Sequence, residues 1–310
     1  MVIRRIGLLL SAALLAAGCG TVVEGTAESG DVAPLTSDIA LGELAAVDFC
    51  SLFDEAHLAE GDRVEWTFPG MNFCTVWVET PATTAYVELG NLQRGQWVMP
   101  PDETTDLPRS VLLRRYEEDS QCVRTFLFDD GVSLEVSTSL DDDVEDAAAV
   151  RCRVAEAVTE GVRAAVYGER ARLLPTPSGS LSGQRMCELM PVADVGELTG
   201  QELLQLEPPG GHRCAWATPM LESAYFVELE LVSEIDDPHT AYPHTVGGRP
   251  TWVAEDTDGC LVTTPHTPLD DDPTVWEIVT VGAHVPDEDQ CGPAKELAKE
   301  VWPRLPEFEG

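Results

Sequence analysis

The sequence predicts an α+β protein of two tandem related domains. Each is an antiparallel sheet of about five strands with an N-terminal and a C-terminal helix on one face. Three observations carry this prediction. Cys50, Cys74, Cys122 and Cys152 are separated by 24, 48 and 30 residues, and Cys187, Cys214, Cys260 and Cys291 by 27, 46 and 31, so one rhythm occurs twice at offsets of 137 to 140. The residues around the cysteines repeat in register: "YVEL" at Tyr86–Leu89 returns as "FVEL" at Phe226–Leu229. Short apolar runs separated by turn residues alternate with two stretches of helical period, the pattern of strands flanked by helices.

The chain begins with a secretory signal pattern over residues 1–19. Arg4 and Arg5 precede an apolar stretch from Ile6 to Ala17, then small residues and Cys19. About a dozen apolar residues are too few to span a bilayer as a helix. "LLAAGCG" resembles the bacterial lipobox, which implies that Cys19 is diacylated and becomes the mature N-terminus. Ala16 stands where that motif usually has leucine, with Leu15 one place earlier. Residues 20–45, rich in Gly, Thr, Ser and acids, read as a tether to the membrane.

The first domain is expected over 46–172. Phe49, Leu52, Phe53 and Ala56 form an i, i+3, i+4, i+7 face and predict an opening helix from Asp48 to Ala59. Strands are expected at Cys74–Glu79, Ala85–Leu92, Val111–Tyr116, Cys122–Phe128 and Val132–Ser139, with Asp129-Asp130-Gly131 turning the last hairpin. A closing helix is expected from Val144 to Tyr167, stopped by Gly168. "LLPTPSGSLSG", Leu173–Gly183, reads as a linker.

The second domain, 184–310, follows the same plan. Met186, Leu189, Met190 and Ala193 repeat the opening face. Strands are expected at Cys214–Ala217, Ala224–Val232, Thr251–Glu255, Cys260–Thr264 and Val275–Val281, and a closing helix from near Pro293.

Nine cysteines become eight once Cys19 is assigned to lipid, an even number in an exported, oxidising setting. Keeping bonds within a repeat leaves three pairings per unit. First with second and third with fourth is preferred, giving Cys50–Cys74, Cys122–Cys152, Cys187–Cys214 and Cys260–Cys291. Zinc is the competing use, but close Cys-x-x-Cys pairs are absent.

Without the signal, 17 basic residues face 55 acidic ones, a net charge of −38. Such a surface excludes nucleic acid as a partner and gives no electrostatic grip on anionic lipid. It favours cationic partners or divalent ions at the surface, the simpler reading being a solvated surface.

Candidate chemistry is sparse. No Ser sits in a Gly-x-Ser-x-Gly elbow, since Leu181 occupies the central place of "GSLSG". His239, His244 and His266 recur in Pro-His-Thr triplets beside Asp236, Asp237 and Asp270–Asp272, a set able in principle to hold a divalent metal. The simpler reading is solvated loops, as it is for Asp141–Asp143, and the first domain has only His57. Glu88 and Glu228 are the one charged pair in matching strand positions, expected on the solvent side of a half-covered sheet or, alternatively, at a shared ligand contact. Trp66, Trp97 and Trp252 could line a pocket, but are expected in core packing.

The motifs "CELM" at Cys187, "CAW" at Cys214–Trp216, "GGRPTWV" before Cys260 and "CGPAKELAKEVWPRLP" from Cys291 resemble a domain of unknown function common in actinobacterial lipoproteins. "CSLFDEAHL" at Cys50 fits the same pattern in the first copy, with the second-motif tryptophan displaced to Trp77 and "CRVAEAVTEGV" as a looser fourth motif. A more distant likeness is to the disulfide-bonded sensor domains of actinobacterial receptor kinases. The resemblance implies an envelope-facing, non-catalytic protein and supplies no catalytic residues or cofactor. The expectation is a lipid-anchored binding, sensor or scaffold protein on the extracytoplasmic face of the cell membrane. The groove between its domains is the candidate binding surface. The alternatives are a divalent-metal-binding lipoprotein using the His and Asp loops, and an envelope hydrolase.

Overall fold

The computed structural model describes residues 33–95, 101–118, 120–142, 144–233, 235, 241–255, 259–270, 272–285 and 291–307. The lipidation candidate Cys19, with Trp97, Asp143, Asp236, Asp237, His239 and Asp271, lies outside them.

Two seven-stranded antiparallel sheets dominate, with a two-stranded ribbon and few helices. In chain order the strands are β1 (Val47–Asp48), β2 (Arg63–Pro69), β3 (Phe73–Glu79), β4 (Thr84–Arg94), β5 (Glu103–Asp106), β6 (Leu112–Glu117), β7 (Cys122–Leu127), β8 (Val132–Leu140) and β9 (Arg172–Leu173). There follow β10 (Leu204–Leu206), β11 (Arg213–Ala217), β12 (Ala224–Val232), β13 (His244–Val246), β14 (Arg249–Glu255), β15 (Cys260–Pro268) and β16 (Trp276–His284). The first sheet runs β2-β3-β4-β8-β7-β6-β5 and the second β10-β11-β12-β16-β15-β14-β13. Strand for strand these are one topology, and both sheets have seven strands where about five were expected. The extra four, β2, β5, β10 and β13, are the outermost strands of the two sheets. There the apolar alternation is weakest, because an edge strand has a neighbour on one side only.

The helices depart further from expectation. The opening segment of the first half is two 3₁₀ turns, Phe49–Leu52 and Glu55–His57, rather than one helix from Asp48 to Ala59. Phe53 is extended between them, and the Asp54 carboxylate accepts from Ala56 N at 3.1 Å, which starts a fresh turn and interrupts the helical ladder. In the second half the segment is two short α-helices, Met186–Leu189 and Val192–Thr199. The closing helices are Ala147–Tyr167, packed on β7 and β8, and Cys291–Val301, packed on β15 and β16. Their buried stripes, Val154, Val158 and Val162 in one and Ala294, Leu297 and Val301 in the other, enter separate apolar cores. One face of each sheet fills that core: Val76, Val87, Leu89 and Val136 in the first half, Trp216, Val227, Leu229 and Val281 in the second.

Four disulfides staple these layers: Cys50–Cys74, Cys122–Cys152, Cys187–Cys214 and Cys260–Cys291, with Cα separations of 4.9–5.3 Å. Two join an opening segment to the second strand of its sheet, and two join a closing helix to the strand beneath it.

Both segments expected to be loose are partly built in. Within the tether range, Leu35, Ala40 and Leu41 are buried in the first core, and Ser37 donates through its amide and its hydroxyl to Asp130. At the start of the linker range, Leu173 of β9 pairs with Val47 of β1. Leu181 is buried in the second core, and its amide donates at 2.9 Å to the fully buried carboxylate of Glu277, which also accepts from the Ser180 hydroxyl. A buried carboxylate requires such donors, so Glu277 fixes the incoming chain.

Candidate functional site

The faces of the two sheets opposite their helices carry the polar residues of interest, and the turn between β2 and β3 brings them together. This turn, Gly70-Met71-Asn72, belongs to the first half and plugs into the second. Met71 is buried in the second core, its carbonyl oxygen lies 3.1 Å from His212 Nδ1, and Asn72 Nδ2 donates to Glu228 Oε1 at 3.0 Å. His212 is buried, and its Nε2 faces the Ser182 carbonyl at 2.9 Å, so one imidazole touches the first half, the linker and its own strand system.

Gly90 makes the approach of β4 to this turn possible. Its φ is +144°, and a Cβ there would sit 2.6 Å from Asn72 O and from Phe73 Cα. A register shift between Gly90 and Gln93 in the β4–β8 pairing follows, with Asn91 at φ +47°. Bulges of this kind re-aim side chains. Asn91 donates through Nδ2 to Glu135 Oε1 at 3.4 Å and lines the same hollow as Glu88.

That hollow is a cavity of about 170 Å³ between the halves, lined by the apolar Leu44, Phe49, Met71, Phe73 and Leu92 and by the polar Asn72, Glu88, Asn91, Arg213 and Glu228. A second hollow of about 400 Å³ continues past Asn91, Leu92, Pro208 and Arg213 along β10.

Glu88 and Glu228, the matched pair of the sequence, therefore open on one space. Both stand on the face away from the helices, as expected, where the Glu228 side chain is 12% exposed and Glu88 is half-buried. Each is oriented by an aromatic partner system on its own sheet. Tyr86 donates through Oη to Glu88 Oε1 at 3.1 Å and packs edge-on to Trp77, which in turn meets Trp66 stacked on Phe68. In the second half Phe226 stands where the first has Tyr86. Its ring lies against Gly282, where an added Cβ would fall 2.1 Å from it, and the Arg213 guanidinium sits 4.8 Å above the ring centroid. Arg213 is opposite Glu228 in the β11–β12 register and pairs with it at 3.4 Å.

Burial pushes the Glu228 carboxyl up to about 7; Glu230 adds to the rise, and Arg213 and Asn72 oppose it. Burial likewise raises Glu230, against Arg213 and a hydrogen bond from Thr280. It raises Glu135 too, helped by Glu88 and Glu118 and opposed by the Asn91 hydrogen bond. Glu228 thus lines the cavity as a desolvated carboxyl beside one guanidinium, and Glu230 and Glu135 stand on the adjoining sheet faces.

The other candidates are not brought together. His266 is buried on β15 with Nε2 2.8 Å from Gly179 O, not in a solvated loop as expected. His244 is exposed on β13. Asp272 accepts from Thr274 N at 3.1 Å in a local turn, and His57 lies 3.8 Å from Asp54. Among the described residues, the one cluster with metal-ligand proximity is Glu117, Cys122 and Cys152, whose sulfurs are already bonded to each other. Trp66 and Trp252 are each 45% exposed, not core residues, because their strands turn them to the face away from the helices. Ser180 meets Glu277, while the imidazoles of His212 and His266 address backbone carbonyls.

Asn72, Asn91, Arg213 and His212 escaped the sequence reading. Arg213 adjoins Cys214 and was legible as a strand residue facing Glu228 only with the β11–β12 register in hand.

No family model matches the chain, and no curated protein matches it. Among solved structures, it is similar to the di-domain ARO/CYC StfQ from the steffimycin biosynthetic pathway. Identity is 14% over 86% of this chain and 91% of that one, at a TM-score of 0.18, a likeness that bears on neither fold nor function.

Proposed function

We propose that the protein is a lipid-anchored, extracytoplasmic, non-catalytic binding protein of the cell envelope, held through Cys19, with its ligand site in the cavity between the two halves. The observation that carries the reading is that Glu88 and Glu228, equivalent positions of the repeated "VEL" strand, line one cavity together with residues of both halves. A cleft walled by apolar side chains with a few convergent polar groups is the ordinary form of a small-molecule site. The four disulfides agree with an oxidising, exported setting.

Two measurements test it. Cys19→Ser transfers the protein from the membrane to the soluble fraction; unchanged fractionation contradicts the anchor. Native mass spectrometry of protein purified from its own envelope finds a bound small molecule that is lost in Gly210→Trp, which puts a large side chain on a residue lining the cavity. Identical spectra for wild type and Gly210→Trp contradict the cleft.

A further inference from the structure

We infer that the cavity between the halves takes a small organic cation, an ammonium or guanidinium on an apolar stem, gripped jointly by Glu88 and Glu228. The inference rests on the cleft reading above and names its ligand class.

The cavity's own composition argues for it. Its polar wall has two carboxylates, two amides and one guanidinium, and the guanidinium is already spent. Arg213 is stacked on Phe226 and paired with Glu228. Among the described residues Glu88 has no cation within 4.0 Å, its partner being the neutral Tyr86 hydroxyl at Oε1. A carboxylate accepts at about four lone-pair sites, so Glu88 keeps capacity at Oε2, and Glu228 keeps capacity beyond Asn72 and Arg213. Glu135 and Glu230 stand on the same faces as Glu88 and Glu228, so two further acids adjoin the pair that shares the cavity lining with Arg213. Burying such an excess is costly unless protons or a bound cation neutralise it, and burial displaces Glu228, Glu230 and Glu135 upward, the direction a bound cation would oppose.

The shape selects among cations. A space of about 170 Å³ is of the size that holds one six-membered ring. Five apolar side chains, Leu44, Phe49, Met71, Phe73 and Leu92, line the same cavity as the acids. A calcium ion needs six to eight oxygen ligands and would find no third carboxylate among the lining residues. An ammonium at the end of an apolar body meets both halves of the lining. Tyr86 and Asn72 hold the two carboxylates in place beforehand, which removes part of the ordering cost of binding.

The experiment is isothermal titration calorimetry on the full-length protein in detergent. The probes are 2-phenylethylammonium, its neutral isostere 2-phenylethanol, phenylacetate and calcium chloride. The expected result is saturable binding of the ammonium at least tenfold tighter than of the alcohol. Glu88→Gln and Glu228→Gln each weaken it at least tenfold, with melting temperatures showing both variants folded. Binding at pH 7 also releases protons, read from the dependence of the heat on buffer ionisation; the groups facing Glu228 are Arg213 of β11, Glu230 of β12, and Glu88 across the cavity. Equal or tighter binding of the alcohol, phenylacetate or calcium overturns the inference, as does no binding of the ammonium or indifference to both glutamine variants. A neutral or anionic probe that binds wild type but not Gly210→Trp removes the cation while keeping the cleft; matching native mass spectra for those two proteins removes the cleft itself.

Discussion

Replacing Glu228 by glutamine should flatten one part of the protein's pH dependence. The glutamine keeps the acceptor for Asn72 and the shape of the protonated acid, but it cannot ionise. In the folded protein the Glu228 carboxyl lies at about 7, against 4.5 for the free group, chiefly because it is buried. A carboxyl raised on folding stabilises fully below its unfolded value, and that stability is lost as pH rises through the folded value. Moving one group from 4.5 to about 7 corresponds to about 3 kcal/mol. The unfolding free energy of wild type minus that of Glu228→Gln should therefore fall by about 3 kcal/mol between pH 4.5 and pH 8.5, with most of the fall between pH 5 and 7. Urea unfolding at a series of pH values, followed by tryptophan fluorescence, measures it, and taking the difference cancels the general self-repulsion of so acidic a chain. A difference that stays flat, or that grows with pH, would refute the reasoning, because it would mean that Glu228 is solvated or fully neutralised by Arg213.

Three further outcomes follow from the same geometry. Met71→Ala should cost about 2–5 kcal/mol, because the side chain is buried in the second core although it belongs to the first half, and urea midpoints measure it. Gly282→Ala should cost about 1–3 kcal/mol and weaken cavity binding, since its methyl would fall 2.1 Å from the Phe226 ring that carries Arg213; a crystal structure would show the ring displaced. Replacing Cys122 and Cys152 together by serine should cost about 3.6 kcal/mol on the chain-entropy account of a loop with a separation of 30 residues, again read from urea midpoints under oxidising conditions.

What the sequence disclosed, and what it hid, divides along a physical line. Local periodicity located the closing helices and the inner strands, because a residue buried on one face repeats every two or 3.6 positions whatever its distant partners. The cysteine rhythm singled out the paired sulfurs, since a duplicated fold must place its staples at duplicated distances. Edge strands such as Leu204–Leu206 left little trace, being short and half-exposed. The opening segment at Asp48–Ala59 has a helical apolar spacing, yet Asp54 competes for the backbone and splits it into 3₁₀ turns. The site was half legible. Glu88 and Glu228 stood out as a matched pair, but their convergence depends on the Gly70–Asn72 turn crossing to the other half, a contact over 156 residues that no local pattern encodes.

The most direct measurement is a crystal structure of the protein soaked with 2-phenylethylammonium. The account predicts its nitrogen between the carboxylates of Glu88 and Glu228, with the ring against Phe49, Met71 and Phe73. A nitrogen bound instead to the exposed acidic loops, with this cavity empty, would contradict it.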